Sequence, residues 1–163
     1  SLVFGGAQER GRRPGTDNIA MAVGFARAAE LAVAEREGEC ARLGALRDRL
    51  EREILERIPG AVIHCRGAPR VSHILNVSVP GTDSESMLMA LDLAGVAASS
   101  GSACQSGSSS PSHVLSALGV PPDLASAAIR MSLGCLTTPE CVDRVAQLFP
   151  AMAAKARGAA VAT

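Results

Sequence analysis

The chain has 163 residues, 16 basic and 16 acidic residues, 47% hydrophobic residues and only 2% aromatics. That length and apolar content suit a single folded domain with a core and argue against disorder. The absent net charge and scarce aromatic rings leave no electrostatic or stacking case for nucleic acid, and no apolar run is long enough to span a bilayer. No charged-then-apolar leader opens the sequence. Its five cysteines, an odd number without secreted-domain spacing, read as reduced thiols of a cytoplasmic protein.

Residues 1–16 hold Gly5-Gly6, Gly11 and Pro14-Gly15 among three arginines and predict an irregular opening. Thr16 or Asp17 is the expected N-cap of a helix running to about residue 37. A second helical stretch places Leu43, Leu46, Leu50, Ile54 and Ile58 on one face, until Pro59-Gly60 ends it. Strands are expected at 61–64 and 72–79, the latter with Leu75, Val77 and Val79 alternating against Ile74, Asn76 and Ser78. Residues 84–93 read as a helix with Leu88 and Leu91 inward and Gly95 as its stop. A short strand at 96–98 then runs into the segment 99–110, of which nine of twelve residues are Ser or Gly.

A short helix should open at Ser110-Pro111 and end at Gly119. A strand at 128–133 sets Ile129, Met131 and Leu133 against Arg130 and Ser132. Thr138-Pro139-Glu140 opens the last helix, with Val142, Val145, Leu148 and Phe149 toward the core, Pro150 as a kink or end, and a frayed tail after Lys155. Helices with short, hairpin-compatible strands indicate an α+β layer domain with a short antiparallel or mixed sheet covered by helices.

Three features could carry chemistry. Cys104 sits in the middle of the Ser/Gly tether, where a thiol is mobile and reactive or is simply an exposed linker thiol. Arg130 lies mid-strand among apolar neighbours, so its guanidinium meets either an anionic ligand or an internal carboxylate. The arginine-rich opening before Thr16 could cradle a phosphate at a helix N-terminus or be a solvated loop. His113 could act as a base toward Cys104 but reads more simply as a surface helix residue, and Cys141 near a helix start as a small buried thiol. Neither His64-Cys65 nor Cys135 with Cys141 has zinc-ligand spacing, so no metal is expected.

Several blocks together resemble a known family. They are Gly5-Gly6-Ala7-Gln8-Glu9-Arg10-Gly11-Arg12-Arg13-Pro14-Gly15-Thr16-Asp17-Asn18, His73-Ile74-Leu75-Asn76-Val77, Leu91-Asp92, Ser99-Ser100-Gly101-Ser102-Ala103-Cys104, Pro111-Ser112-His113-Val114-Leu115 and Ile129-Arg130-Met131-Ser132-Leu133-Gly134. In order and content they resemble the C-terminal part of the NifS/IscS-type cysteine desulfurases, class V pyridoxal-phosphate enzymes. Ala7 stands where the family usually has a third glycine, and Cys135 where many members carry Arg.

The resemblance implies a small C-terminal domain of a fold-type I enzyme at 17–163, with a mobile catalytic loop at 99–110 and a remnant of the cofactor-binding large domain at 1–16. It implies that Cys104 takes sulfur from L-cysteine as a persulfide and L-alanine departs. Arg130 would clamp the substrate carboxylate, and Thr16 would bind the pyridoxal phosphate of the neighbouring subunit in a homodimer. The sulfur would pass to an iron–sulfur scaffold or another acceptor protein. The family's cofactor lysine lies upstream of the Gly5 block, and the one lysine here, Lys155, matches no family position. The expectation is therefore a desulfurase fragment, inactive alone. A selenocysteine lyase fragment and a non-enzymatic persulfide carrier are the alternatives.

Overall fold

The computed structural model describes residues 3–100 and 112–160. Most of the tether, Cys104 included, lies outside them, as does Pro111. The chain forms two compact units, Ser1–Gly38 and Glu39–Thr163.

The first unit opens irregularly, as expected. A 3₁₀ turn at Gln8–Gly11 holds Glu9, Arg10 and Gly11 at φ of 51°, 56° and 75°, a left-handed run that only the glycine adopts without strain. Gln8 ties the segment together, its Oε1 accepting from the Gly15 N–H at 3.1 Å. Helix α1 (Ile19–Arg57) then begins one residue later than the expected caps. Its cap is Asn18, whose Oδ1 accepts from the Met21 N–H at 3.1 Å. The Thr16 carbonyl is engaged by Arg13 Nη1 at 3.3 Å instead.

The two expected helical stretches are one continuous helix. Gly38 and Gly44 lie inside it, because a lone glycine costs only about 1 kcal/mol in a run of good helix formers. The Leu43, Leu46, Leu50, Ile54 and Ile58 stripe is buried as its spacing requires.

In the second unit, β1 (Val62–Ile63), β2 (Ile74–Ser78) and β3 (Ala128–Ser132) form an antiparallel sheet in the order β1-β2-β3. The expected strand at 96–98 is absent; the chain there makes one bridge, Ser99 to Arg130. Leu75, Val77, Ile129 and Met131 project to one face, where the α1 stripe, Met87 and Leu91 of α2 (Ser84–Leu93), and Phe149 of α5 (Pro139–Ala160) complete the core. Met87, not Leu88, is the fully buried partner of Leu91. On α5 the core positions include Ala146, Ala153 and Ala156, small residues that let the helix approach closely.

Proline 150 neither ends nor frays α5, which continues to Ala160. The carbonyl of Ala146, deprived of a helical donor by the proline, is met by Arg57 Nη1 at 3.3 Å. The opposite sheet face carries Ile74, Asn76, Ser78, Ala128 and Arg130. Over it lie α3 (His113–Ala117), which starts from Ser112, and a short helix the sequence reading missed, α4 (Pro122–Ser126). Leu115, Ala125 and Ala128 form a satellite core there. The described residues are thus α+β, with an antiparallel sheet sandwiched between helices.

Candidate functional site

The polar face of the sheet is where candidate chemistry converges. Arg130 is the cross-strand partner of Asn76, and on its other side its backbone pairs with Ser99, N–H to carbonyl both ways at 2.6 and 3.0 Å. The strand holding the guanidinium is therefore fixed from both edges. Alternation along β2 and β3 puts both side chains on the face away from the core.

A cavity of about 270 Å³ opens on this face. Arg70, Asn76 and Arg130 line it together with His64, Cys65 and an apolar wall that includes Ile74 and Leu115. Three buried side-chain atoms have no hydrogen-bond partner among the described residues: Arg70 Nη1, Asn76 Oδ1 and Arg130 Nε. All three belong to residues of this cavity. Buried polar groups are ordinarily paired, and each orphan costs about 1–3 kcal/mol. No carboxylate among the described residues pairs with Arg130, so the internal ion pair, one of the two readings of this residue, is not formed there.

The surroundings make the cavity cationic. Its described lining contains two arginines and no acidic residue. Arg70 is held by one end only: Nη2 pairs with Glu51, a carboxylate 6% exposed that also accepts from Arg66 Nε at 2.8 Å. His64 adds no charge near neutrality, because burial pushes its pKa below 6.5. Its tautomer follows from its partner. Ser78 donates its single hydroxyl proton to the Leu124 carbonyl, so Nε2 of His64 carries a hydrogen and donates it to Ser78 Oγ at 2.7 Å. Beside it, Cys65 is held at φ 58°, a left-handed conformation that costs a cysteine about 1–2 kcal/mol. This arrangement suits a small anion, and a planar carboxylate above all.

Of the residues singled out from the sequence, Arg130 lines the cavity. Thr16 is exposed in the other compact unit, and Cys104 lies outside the described residues. His113 is exposed at the start of α3. Cys141 is an exposed thiol, not a buried one; the Thr138 hydroxyl beside it lowers its pKa. Arg70 and Asn76 were missed as site residues. Asn76 was legible, since the alternation of β2 sets it on the face opposite Leu75 and Val77; Arg70 sits in a loop with no periodicity to place it.

The aminotransferase class-V family model matches residues 6–145. A cysteine desulfurase of Gluconacetobacter diazotrophicus is 46% identical over 156 residues, covering 96% of this chain and 39% of that protein. The cysteine desulfurase IscS of Methanosarcina thermophila is 44% identical, with 96% and 38% covered. The chain thus spans about 39% of the length of the first of these relatives. Among solved structures, a NifS-like protein from Rickettsia africae superposes with a TM-score of 0.76 at 26% identity, covering 93% of this chain and 39% of that one. Another NifS-like protein gives 0.75 at 32% identity, with 94% and 39% covered.

Proposed function

This chain belongs to the aminotransferase class-V family, and on that footing we propose that it carries the carboxylate-binding and sulfur-accepting part of a cysteine desulfurase. The observation that supports this most is Arg130 lining a cationic cavity, its buried Nε without a partner among the described residues, beside sequence similarity to desulfurases over 96% of the chain. In this reading Arg130 receives the carboxylate of L-cysteine. Cys104, as thiolate, takes the substrate's sulfur: a thiol and L-cysteine become a protein persulfide and L-alanine, with no external oxidant. A sulfur-acceptor protein, such as an iron–sulfur scaffold, then receives that sulfur. Thr16 contributes to a cofactor phosphate site in a homodimer, and the assembly works in the cytoplasm. No helix among the described residues is long and apolar enough to cross a membrane.

Enzymes of this class use pyridoxal phosphate, which withdraws electrons from the substrate amino acid. The described residues fit the substrate's carboxylate but not the attachment of that cofactor. The single lysine, Lys155, is exposed on α5, whose buried face packs on the core side of the sheet, away from Arg130.

The test is L-alanine formation from L-cysteine by the complete desulfurase that contains this chain, supplied with pyridoxal phosphate, with the added sulfur mapped by mass spectrometry. The sulfur is expected on Cys104, and Cys104→Ser and Arg130→Gln should each abolish alanine formation. A sulfur adduct confined to Cys40, Cys65, Cys135 or Cys141 would overturn the assignment.

A further inference from the structure

Helices α3 and α4 are five residues long each, too short to hold their shape alone in water, so both depend on what fastens them to the sheet. Of residues 112–126 only Ser112, Leu115 and Ala125 are buried. Leu115 and Ala125 meet Ala128 and Val120 in a small cluster separate from the main core. A polar tie adds to that thin contact. The Leu124 carbonyl lies near the end of α4, where helical donors run out, and it accepts from the hydroxyl of Ser78 on β2. Among the described residues this is the one hydrogen bond between the two helices and the sheet. Ser78 has no exposed surface, and its oxygen accepts in turn from His64 Nε2 at 2.7 Å. Ile63 pairs with Val77 on the core face, so the next residue, His64, turns to the face that α3 and α4 cover.

We propose that α3 and α4 form a cover that lifts from the sheet as a unit, latched by the Ser78–Leu124 hydrogen bond and driven open when His64 takes up a proton. This goes beyond the desulfurase reading and does not depend on it. What the latch holds in place is the wall of the cavity formed by Ser112, Val114, Leu115 and Leu118. With Ser112 it also holds the point at which the chain returns from the Cys104 segment.

His64 supplies the pH sense. With the cover closed it is a neutral donor, and burial holds its pKa below 6.5. The titratable groups beside it on its own loop are Cys65, Arg66 and Arg70, with Arg130 on β3. Glu51 of α1 is taken up by Arg66 and Arg70, and on the cover His113 and Asp123 are exposed. No acidic residue among the described lining stands ready to pair with an imidazolium. Once α3 and α4 lift, water reaches the ring and its pKa returns toward the ordinary value. Opening therefore takes up a proton. The closed state is fully favoured above pH 6.5 and loses ground as pH falls from there through the lowered value.

The test is amide hydrogen exchange, read by mass spectrometry in the complete protein that contains this chain, with rates divided by those of the unfolded chain at the same pH. The amides of Ser116, Leu118, Val120 and Ala125 are bonded inside the cover and exchange when the short helices leave the sheet and melt. Ser78→Ala should lower their protection about ten-fold at neutral pH, the worth of one buried hydrogen bond, while α5 keeps its own. Ser78→Cys, a weaker donor of similar size, should act in the same direction and carries the test if Ser78→Ala does not fold. From about pH 7.5 to about pH 5.5 the unaltered cover should lose protection. His64→Gln, whose amide still donates to Ser78 but does not titrate, should show no such loss.

Equal losses in α5 and in the cover would overturn the separate unit. Unchanged cover protection in the Ser78 variants overturns the latch. A pH response that persists in His64→Gln, or that the unaltered protein lacks, overturns His64 as the trigger.

Discussion

Arginine 57 lets a proline sit inside α5, and a double-mutant cycle isolates that service. Pro150 has no N–H, so the carbonyl four residues earlier, on buried Ala146, loses its helical donor. Arg57 Nη1 supplies a replacement at 3.3 Å, while Nη2 of the same group pairs with Glu53 at 2.6 Å. Orphaning a buried carbonyl costs about 1–3 kcal/mol. The bond is long and the Arg57 side chain is 46% exposed, which places its share at the low end, about 1 kcal/mol. Losing the Glu53 pair, an i,i+4 contact on a helix surface, adds about 0.3–0.5 kcal/mol. Arg57→Ala should therefore cost about 1.5 kcal/mol in urea denaturation followed by far-UV circular dichroism. In a Pro150→Ala background residue 150 donates to Ala146 itself, and the same change should cost only the ion-pair share. The coupling, about 1 kcal/mol, is the carbonyl's. Equal costs in the two backgrounds would refute the argument.

Other consequences follow from the same geometry. Glu51→Gln removes the carboxylate shared by Arg66 and Arg70; Asp48 remains near Arg70 as a partial substitute. The loss should be about 2 kcal/mol, below the 3–5 of a fully broken buried pair, and a cycle should show stronger coupling to Arg70 than to exposed Arg66. His64 is held neutral by burial, its pKa lowered from 6.5. The unfolded chain then binds more protons, so stability is full above pH 6.5 and falls as pH drops from there through the lowered folded value. His64→Gln should flatten that slope in unfolding midpoints measured across the range, and an unchanged slope would remove His64 as its source. Phe149 is fully buried at the centre of the core, so Phe149→Ala should cost about 3–5 kcal/mol of unfolding free energy. A loss below about 1 kcal/mol would mean that the α5 packing is wrong.

Much of the core was legible in the chain because burial follows period. The leucine and isoleucine stripe of α1 and the alternation of β2 and β3 each name a buried face without knowing what covers it. The same alternation put Arg130 on the polar side of its strand, which made it a candidate before any contact was seen. The resemblance carried by the 99–104 and 129–134 blocks anticipated the family.

What pattern could not supply was every feature that depends on a partner distant in sequence. Pro150 reads as a helix end unless Arg57, 93 positions away, is known to reach the carbonyl it orphans. The first helix reads as ending near residue 37 because propensity is local, while α1 is a sum over many favourable neighbours. Arg70 reads as one more loop arginine, since neither Glu51 nor the cavity can be seen from its own neighbours. Local pattern names which faces are apolar and which residues could bear charge. Tertiary structure alone decided which charges stay unpaired, because pairing is a matter of what the fold brings within about 3 Å, and periodicity carries no information about that.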